Sequence, residues 1–455
     1  MIFGDMVMSG QNKKVAVLLF LIGLFSQTQV HVVGSIGISE LVIFLVAPWL
    51  FYVNYRKLKH DGFLWFIWLS ILVCLGCVVS SVYNSTPFIL AAKGFATPYS
   101  IFAITVVLHG LLRKDLNSLK WLFVGIFGSL ILSVFIFQPE TYTVTSSGIS
   151  TGSAAIAMMI SYPLFWAIRI TALVSLPIKC MYLKTPILYS IVMTLGAGVF
   201  SVLFSDSSGR ATAMIAIFAT LLLWLGGRSQ KKIFYLGKIF PAVILVMTLI
   251  GVCGKIGYSY AAKNGLLGDK AIDKYENQTF RGEGILHLLM AGRKEFFVGI
   301  IAALDKPILG HGPSPEDKDG YLTSYLLKYG NDDECENLMK ERRALAEMGF
   351  SYFTIPTHSF IASFWVYYGI IGLIFWINAL ILIWKYFRIY ASAIPQWFGY
   401  LAVFLPTMVW GTFFAPFGDR IGCTLPLVCI LFVKAVCEHR ISLPYNMQME
   451  LTKHR

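Results

Sequence analysis

Three residues in this chain join reactive chemistry to an awkward placement: Arg210, Arg293 and His358. Arg210 opens an apolar run directly after SDSSG (205–209), with Ser208 placed to cap a helix. A helix N-terminus carries unpaired N–H groups and partial positive charge, so a cation has the wrong sign there unless an anion joins it. A phosphate would resolve the conflict; pairing with Asp206, or snorkelling to lipid headgroups, is the plainer alternative. Arg293 lies within residues 281–304, where Ile285, Leu288, Leu289, Phe296, Phe297, Ile300, Ile301 and Leu304 fall at helical spacing. Standing four residues after Leu289 and four before Phe297, Arg293 is predicted to project from the apolar face, where a charge needs an anionic partner or a snorkelling route. His358 follows Ile355-Pro356-Thr357 and is predicted in the first turn of a membrane helix. An imidazole titrates near neutrality and a helix N-terminus favours its neutral form, which suits a general base. An interfacial hydrogen-bonding histidine is the alternative.

Two arginine forks grip phosphate oxygens bidentately, and an imidazole beside them activates a hydroxyl. That combination fits attack on a carbon whose leaving group is a lipid pyrophosphate. Further candidates for substrate contact are Lys93, Arg420, Glu40 and His311. Headgroup contact is the simpler role for Lys93 and Arg420. Glu40, about one turn inside a span, is a costly placement and is open to either binding or pairing. His311, like His287, reads more simply as loop structure. Cys74 and Cys77 are spaced as CxxC but have no partnering Cys or His pair nearby, so no metal site and no cofactor is expected.

The elements that must position these residues are membrane helices. Of the 455 residues 57% are hydrophobic and 13% charged, against roughly 25% charged in a soluble domain. Apolar blocks of the length a bilayer demands are predicted at 15–31, 36–53, 63–83, 95–112, 119–138, 152–168, 186–204, 210–226, 237–254, 358–384, 396–414 and 421–437. The expectation is an all-α polytopic protein of about twelve spans. The first block follows Lys13 and Lys14 as a signal peptide would, but shows no cleavage pattern and reads as a retained helix. The formal charge of +13 is scattered through short connections and forms no basic stripe, which argues against nucleic acid.

Lys and Arg alternate between the two sets of short connections, which places both termini in the cytoplasm. Lys93, Arg210 and Arg420 are the exceptions on the opposite side. The chain thus divides into spans 1–254, a large external loop 255–357 and spans with a tail at 358–455. The loop holds 15 of the 24 acidic residues, and long loops translocate regardless of charge. Its amphipathic helix at 281–304 stops at Asp305-Lys306-Pro307, GHGPSP (310–315) makes a tight turn, and a second, solvated helix is predicted within 316–349, with Gly349 as its stop.

HSFIASFWVYYGIIGLIFW (358–376) resembles the His-led membrane helix of the O-antigen ligase and Wzy-type polymerase superfamily. AGRKEFFVGIIAALDKPILGHGP (291–313) is similar to that family's GR, amphipathic helix and P-[IL]-[IL]-G-x-G-P stretch, and SDSSGRATAMIAIF (205–218) to its S-x-S-R segment. The three fall in family order from residue 205 onward; the first half matches only in hydropathy. The resemblance implies a metal-independent glycosyltransferase of the GT-C type at the periplasmic face of a bacterial inner membrane. It would take a glycan from undecaprenyl pyrophosphate, with Arg210 and Arg293 on the pyrophosphate and His358 on the acceptor hydroxyl. A polymerase would pass the glycan to a lipid-linked repeat unit, a ligase to lipid A-core. The polar insert at 316–349 departs from the family pattern and bears on which. A transporter also favours twelve spans, but its sites lie at the midplane between related halves, whereas the unusual charges here are at the outer face.

Overall fold

The computed structural model describes residues 10–26, 28–31, 35–135, 293–330, 354–387, 397–415 and 420–442, with isolated short stretches between 191 and 290 and between 335 and 417. Arg210, His287 and the predicted spans 152–168 and 237–254 lie outside the described residues, as do most of 186–204 and 210–226.

The described chain is mostly helical. In order come α1 (Gly10–Leu24), a ribbon of β1 (Gln29–His31) and β2 (Ser35–Gly37), α2 (Ile38–His60), α3 (Leu64–Tyr83), α4 (Phe88–Leu112) and α5 (Leu119–Phe135). After the gap follow α6 (Lys294–Asp305), α7 (Tyr321–Tyr329), α8 (Phe360–Tyr368), α9 (Ile370–Phe387), α10 (Phe398–Phe414) and α11 (Arg420–Cys437). Among the described residues α2, α3, α4 and α11 are long and apolar enough to cross a membrane. The two-stranded ribbon, antiparallel with Val30 opposite Ile36, is an exception to the all-α expectation.

Burial sorts these helices. The second half of α4 and nearly all of α11 are enclosed, and they pack on each other at the centre. By contrast α2 presents Leu41, Val42, Leu45, Val46, Trp49, Tyr52 and Val53 outward. An apolar stripe of that length suits hydrocarbon rather than water. Backbones approach closely where side chains are missing: Gly23 of α1 lies against the Leu122 carbonyl and Gly125 of α5 against that of Phe20, the small-residue contact by which membrane helices pack.

Several predicted boundaries are corrected. Helix α2 runs seven residues past 53, because its polar C-terminal residues still propagate a helix after the apolar stripe ends; Asp61 and Gly62, at φ +76°, stop it. Within the polar insert one helix ends at Gly330 and a further helical turn begins at residue 335, so the single solvated helix is divided well before Gly349. The amphipathic helix is shown from Lys294, with Arg293 as its non-helical N-cap at φ −139°, not in mid-helix.

The largest correction falls at 358–384. This predicted single span is two helices, broken at Gly369 with φ +66° and ψ −153°. That conformation is restricted to glycine, and its cause is the GHGP loop docked beside it. The Ile370 amide donates to the Ile308 carbonyl (3.1 Å) and the His311 amide to that of Val366 (2.6 Å). A Cβ at Gly369 would strike the Ile308 carbonyl, and one at Gly372 the Phe364 carbonyl. The two glycines of the GIIG pattern therefore serve a backbone break and a close approach.

Candidate functional site

The helix ends fall into two groups by contact. At one end the turn after α2 carries Asp61, almost fully enclosed. Its carboxylate accepts from Arg113 Nε (2.5 Å) and Nη2 (3.3 Å) and pairs with His109 Nε2 (2.8 Å) and His60 Nδ1 (2.9 Å). Burial works to raise the Asp61 pKa, but these three partners outweigh it and bring the group down to about 2. Lys434 and Arg440 both bridge to Glu438, and Trp397 donates to the Leu116 carbonyl. This end gathers basic residues from connections that the alternation of charge assigns to one side.

The other end holds Arg293 and His358, two of the residues singled out for chemistry. The GHGP loop is clamped between the end of α3, the start of α4 and the helix break. Asn84 Nδ2 donates to the Gly310 carbonyl (3.1 Å), Gly94 faces the Pro313 ring, and Tyr368 Oη donates to the Gly94 carbonyl (2.8 Å). Positive φ at Gly310 and Gly312 lets the loop turn within this space.

His358 precedes α8 instead of lying in its first turn. Ser359 is the N-cap: its hydroxyl accepts from the Ala362 amide (3.2 Å) and donates to the Thr412 carbonyl of α10 (2.8 Å). On the other side, Thr357 bonds Tyr367 Oη (3.1 Å) and receives the Ser363 hydroxyl (2.7 Å to its carbonyl). Both neighbours are pinned by hydrogen bonds while the imidazole itself is exposed, with no hydrogen bond to a described residue.

Arg293 reaches the same turn of α10. Its guanidinium lies 5.2 Å from the Trp410 ring centroid and 4.9 Å from that of Phe414. Burial lowers its pKa, partly offset by Glu295, yet a guanidinium stays charged in any case. Cation–π contacts cover the faces of the guanidinium, whereas its N–H donors lie in the plane and remain available to an anion. The last turn of α10 thus touches both Arg293, through Trp410 and Phe414, and Ser359, the neighbour of His358. The aromatic cradle was not read from the sequence; its signal was the spacing of Trp410 and Phe414 one turn apart at the predicted outer end of a span.

Other predicted site residues separate from this pair. Arg420 Nη1 bonds Glu40 Oε2 at 2.8 Å, and Glu40 also accepts from the Gly37 amide at the start of α2 (3.2 Å). The two misplaced charges pair with each other, the pairing alternative for Glu40, and give Arg420 a carboxylate partner in place of the headgroup contact expected for it. His311 is buried, its Nε2 donating to the Ala302 carbonyl (2.7 Å) and its ring edge-on to Tyr321. Burial pushes its pKa below the ordinary histidine value, and its bond to the Ala302 carbonyl gives it a part in holding the loop. Lys93 is exposed beside Gly94 and the docked loop.

Comparison with family models, with curated proteins and with solved structures gives no match for this chain. Among the described residues no group of three or more His, Cys, Asp or Glu side chains is placed to hold a metal ion.

Proposed function

We propose that this protein is a bacterial inner-membrane glycosyltransferase of the GT-C type. It transfers a glycan from undecaprenyl pyrophosphate to an acceptor hydroxyl at the periplasmic face, polymerising O-antigen or exopolysaccharide repeat units. The observation that carries the reading is that the last turn of α10 holds the Arg293 guanidinium through Trp410 and Phe414 and also anchors Ser359, next to His358, through the Thr412 carbonyl. In this reading the in-plane donors of Arg293, together with Arg210, hold the pyrophosphate as it departs from the sugar. His358, held between two hydrogen-bonded neighbours but itself exposed, accepts the proton of the attacking hydroxyl. The division of labour follows from charge: leaving-group oxygens gain negative charge and need fixed donors, while the acceptor loses a proton and needs a base near neutrality. Ligation to lipid A-core uses the same chemistry, and the acceptor distinguishes the two.

The test is substitution of each residue by alanine. His358→Ala, Arg293→Ala and Arg210→Ala are expected to abolish long-chain surface glycan with the protein still in the membrane; normal glycan in all three overturns the proposed site. Deletion then separates the acceptors. Single repeat units left on lipid A-core indicate a polymerase, and bare core with accumulated lipid-linked polymer indicates a ligase.

A further inference from the structure

Residues 354–359, which lead into α8, form neither a helix nor a paired strand, yet they are held one after another. Thr354 makes a single antiparallel bridge to Glu316, and the Ile355 amide donates to the Pro315 carbonyl (2.9 Å). Next, α6 lies directly on the chain at Gly299: a Cβ there would sit 3.3 Å from Thr357 Cγ2 and 3.6 Å from the Pro356 carbonyl oxygen. Ser359 is fixed on α10 through the Thr412 carbonyl. Within 355–359 only His358 has an exposed side chain. Thr357, the residue before it, is buried and held from two sides. Its hydroxyl lies 3.1 Å from Tyr367 Oη and 2.9 Å from Ser363 Oγ, and Ser363 also donates to the Thr357 carbonyl (2.7 Å). A segment without a hydrogen-bonded ladder leaves its backbone groups to side chains, and a buried cluster of hydroxyls fixes it in one arrangement.

Tyr367 is itself set by the docked loop. It follows Val366, whose carbonyl accepts from the His311 amide, and stands two residues before the break at Gly369. The hydroxyl contact therefore ties the residue before His358 to the turn on which the GHGP loop docks, while Gly299 ties it to the helix capped by Arg293. We propose that Thr357 and Tyr367 are positioning residues, whose hydroxyl contact fixes the backbone at His358 relative to Arg293. The imidazole then meets the acceptor hydroxyl while the pyrophosphate rests on the guanidinium. The proposal rests on the transferase reading, which gives His358 a proton to accept. Neither hydroxyl acts on the substrate directly. Their effect is on alignment, where a displacement of about 1 Å costs a reaction about a hundredfold, and so on kcat rather than on binding.

The experiment pairs transfer with amide hydrogen exchange on the purified full chain in nanodiscs. The substrates are the lipid-linked glycan and the lipid A-core extracted from cells that lack the protein. Thr357→Val keeps the methyl that faces Gly299 and removes the hydroxyl, and Tyr367→Phe removes its partner. Each should lower kcat at least about tenfold with KM for the lipid-linked glycan within about twofold, and the double variant should fall no further than either alone. Thr357→Ser, which restores the hydroxyl, should recover kcat. In a His358→Ala background Tyr367→Phe should leave the residual rate unchanged, whereas general damage to the fold would lower it. Exchange over residues 355–363 should quicken in Thr357→Val and Tyr367→Phe, with 294–305 as in the wild type. Losses carried by KM, no recovery in Thr357→Ser, a further fall in the His358→Ala background, or unchanged exchange overturns the proposal. Exchange requires no turnover, so the two readings fail differently. Quickened exchange with normal transfer by His358→Ala refutes the transferase reading and the positioning role with it, whereas unchanged exchange refutes the hydroxyl contact whatever the reaction.

Discussion

Asp61, His109 and Arg113 contain the parts of an acid–base centre, and Asp61→Asn separates a structural clamp from a reactive site. The Asp61 side chain is fully enclosed and accepts from three cationic or imidazole partners. Holding the carboxyl from 3.8 down to about 2 corresponds to about 2 kcal/mol of folding stability, at about 1.4 kcal/mol per tenfold in proton affinity. The sign follows from linkage. A depressed carboxyl pKa stabilises the fold above pH 3.8, and that contribution is lost as pH falls from there through about 2. Asparagine retains the shape but removes the charge and leaves Arg113 facing a buried amide, so the loss at pH 7 is about 2–4 kcal/mol. The assay is unfolding in mixed detergent micelles, followed by tryptophan fluorescence at pH 7 and at pH 5. Both values lie above the folded and unfolded pKa of Asp61, so the variant should be less stable than the wild type at each. Wild-type stability in Asp61→Asn refutes the clamp. Loss of surface glycan from a variant present at normal level in the membrane would instead make this cluster reactive.

Arg293→Lys keeps the charge but loses the planar fork and its stacking on Trp410 and Phe414, and transfer measured as kcat/KM should fall at least about tenfold. Gly369→Ala places a Cβ against the Ile308 carbonyl in a conformation that costs about 1–3 kcal/mol before the clash. The unfolding midpoint should drop, and the GHGP loop should become open to limited proteolysis. Glu40→Gln leaves Arg420 half-buried and unpaired, at a cost of roughly 2–4 kcal/mol because the pair is shielded from water. Arg420→Gln in addition should recover part of that loss, and additive losses would show that the pair is not coupled.

Long apolar runs reveal their own limits: the spans expected at 63–83 and 421–437 are Leu64–Tyr83 and Arg420–Cys437. Where helix and hydropathy part company the reading slips, as at α2, whose last turns are polar yet helical. The break at Gly369 could not be read from periodicity, because glycine is common in membrane helices and the apolar pattern runs straight through it. Its cause is the backbone of residues some sixty positions earlier, docked against it. Docking also accounts for His311, whose simpler reading as loop structure agrees with its bond to the Ala302 carbonyl. That a helix begins just after His358 was readable from Pro356 and the apolar run that follows. Its pinning by Ser359 on Thr412 depends on which helix packs alongside, and that information lies in three dimensions.

Partnering sorts Arg293 from Arg420. Glu40 and Arg420 were two misplaced charges of opposite sign on one predicted side, and they meet. A carboxylate that neutralises an arginine also occupies the fork that would hold a phosphate, so Arg420 is a poor ligand group while that bridge stands. Arg293 is half-buried as well, but its support is two aromatic rings. Aromatic faces offset part of the cost of taking a guanidinium out of water without consuming its N–H donors. Such an arrangement fixes the position of the cation, and although Glu295 acts on its charge, no carboxylate among the described residues bridges to the guanidinium as Glu40 does to Arg420. An arginine meant only to brace the fold is better served by a carboxylate, as Arg420 is by Glu40 and Arg113 by Asp61. The contrast inside one molecule is the physical reason to expect an anionic substrate at Arg293, and to expect the glycan to vanish when that residue, and not Arg420, is replaced under conditions where both variants remain folded.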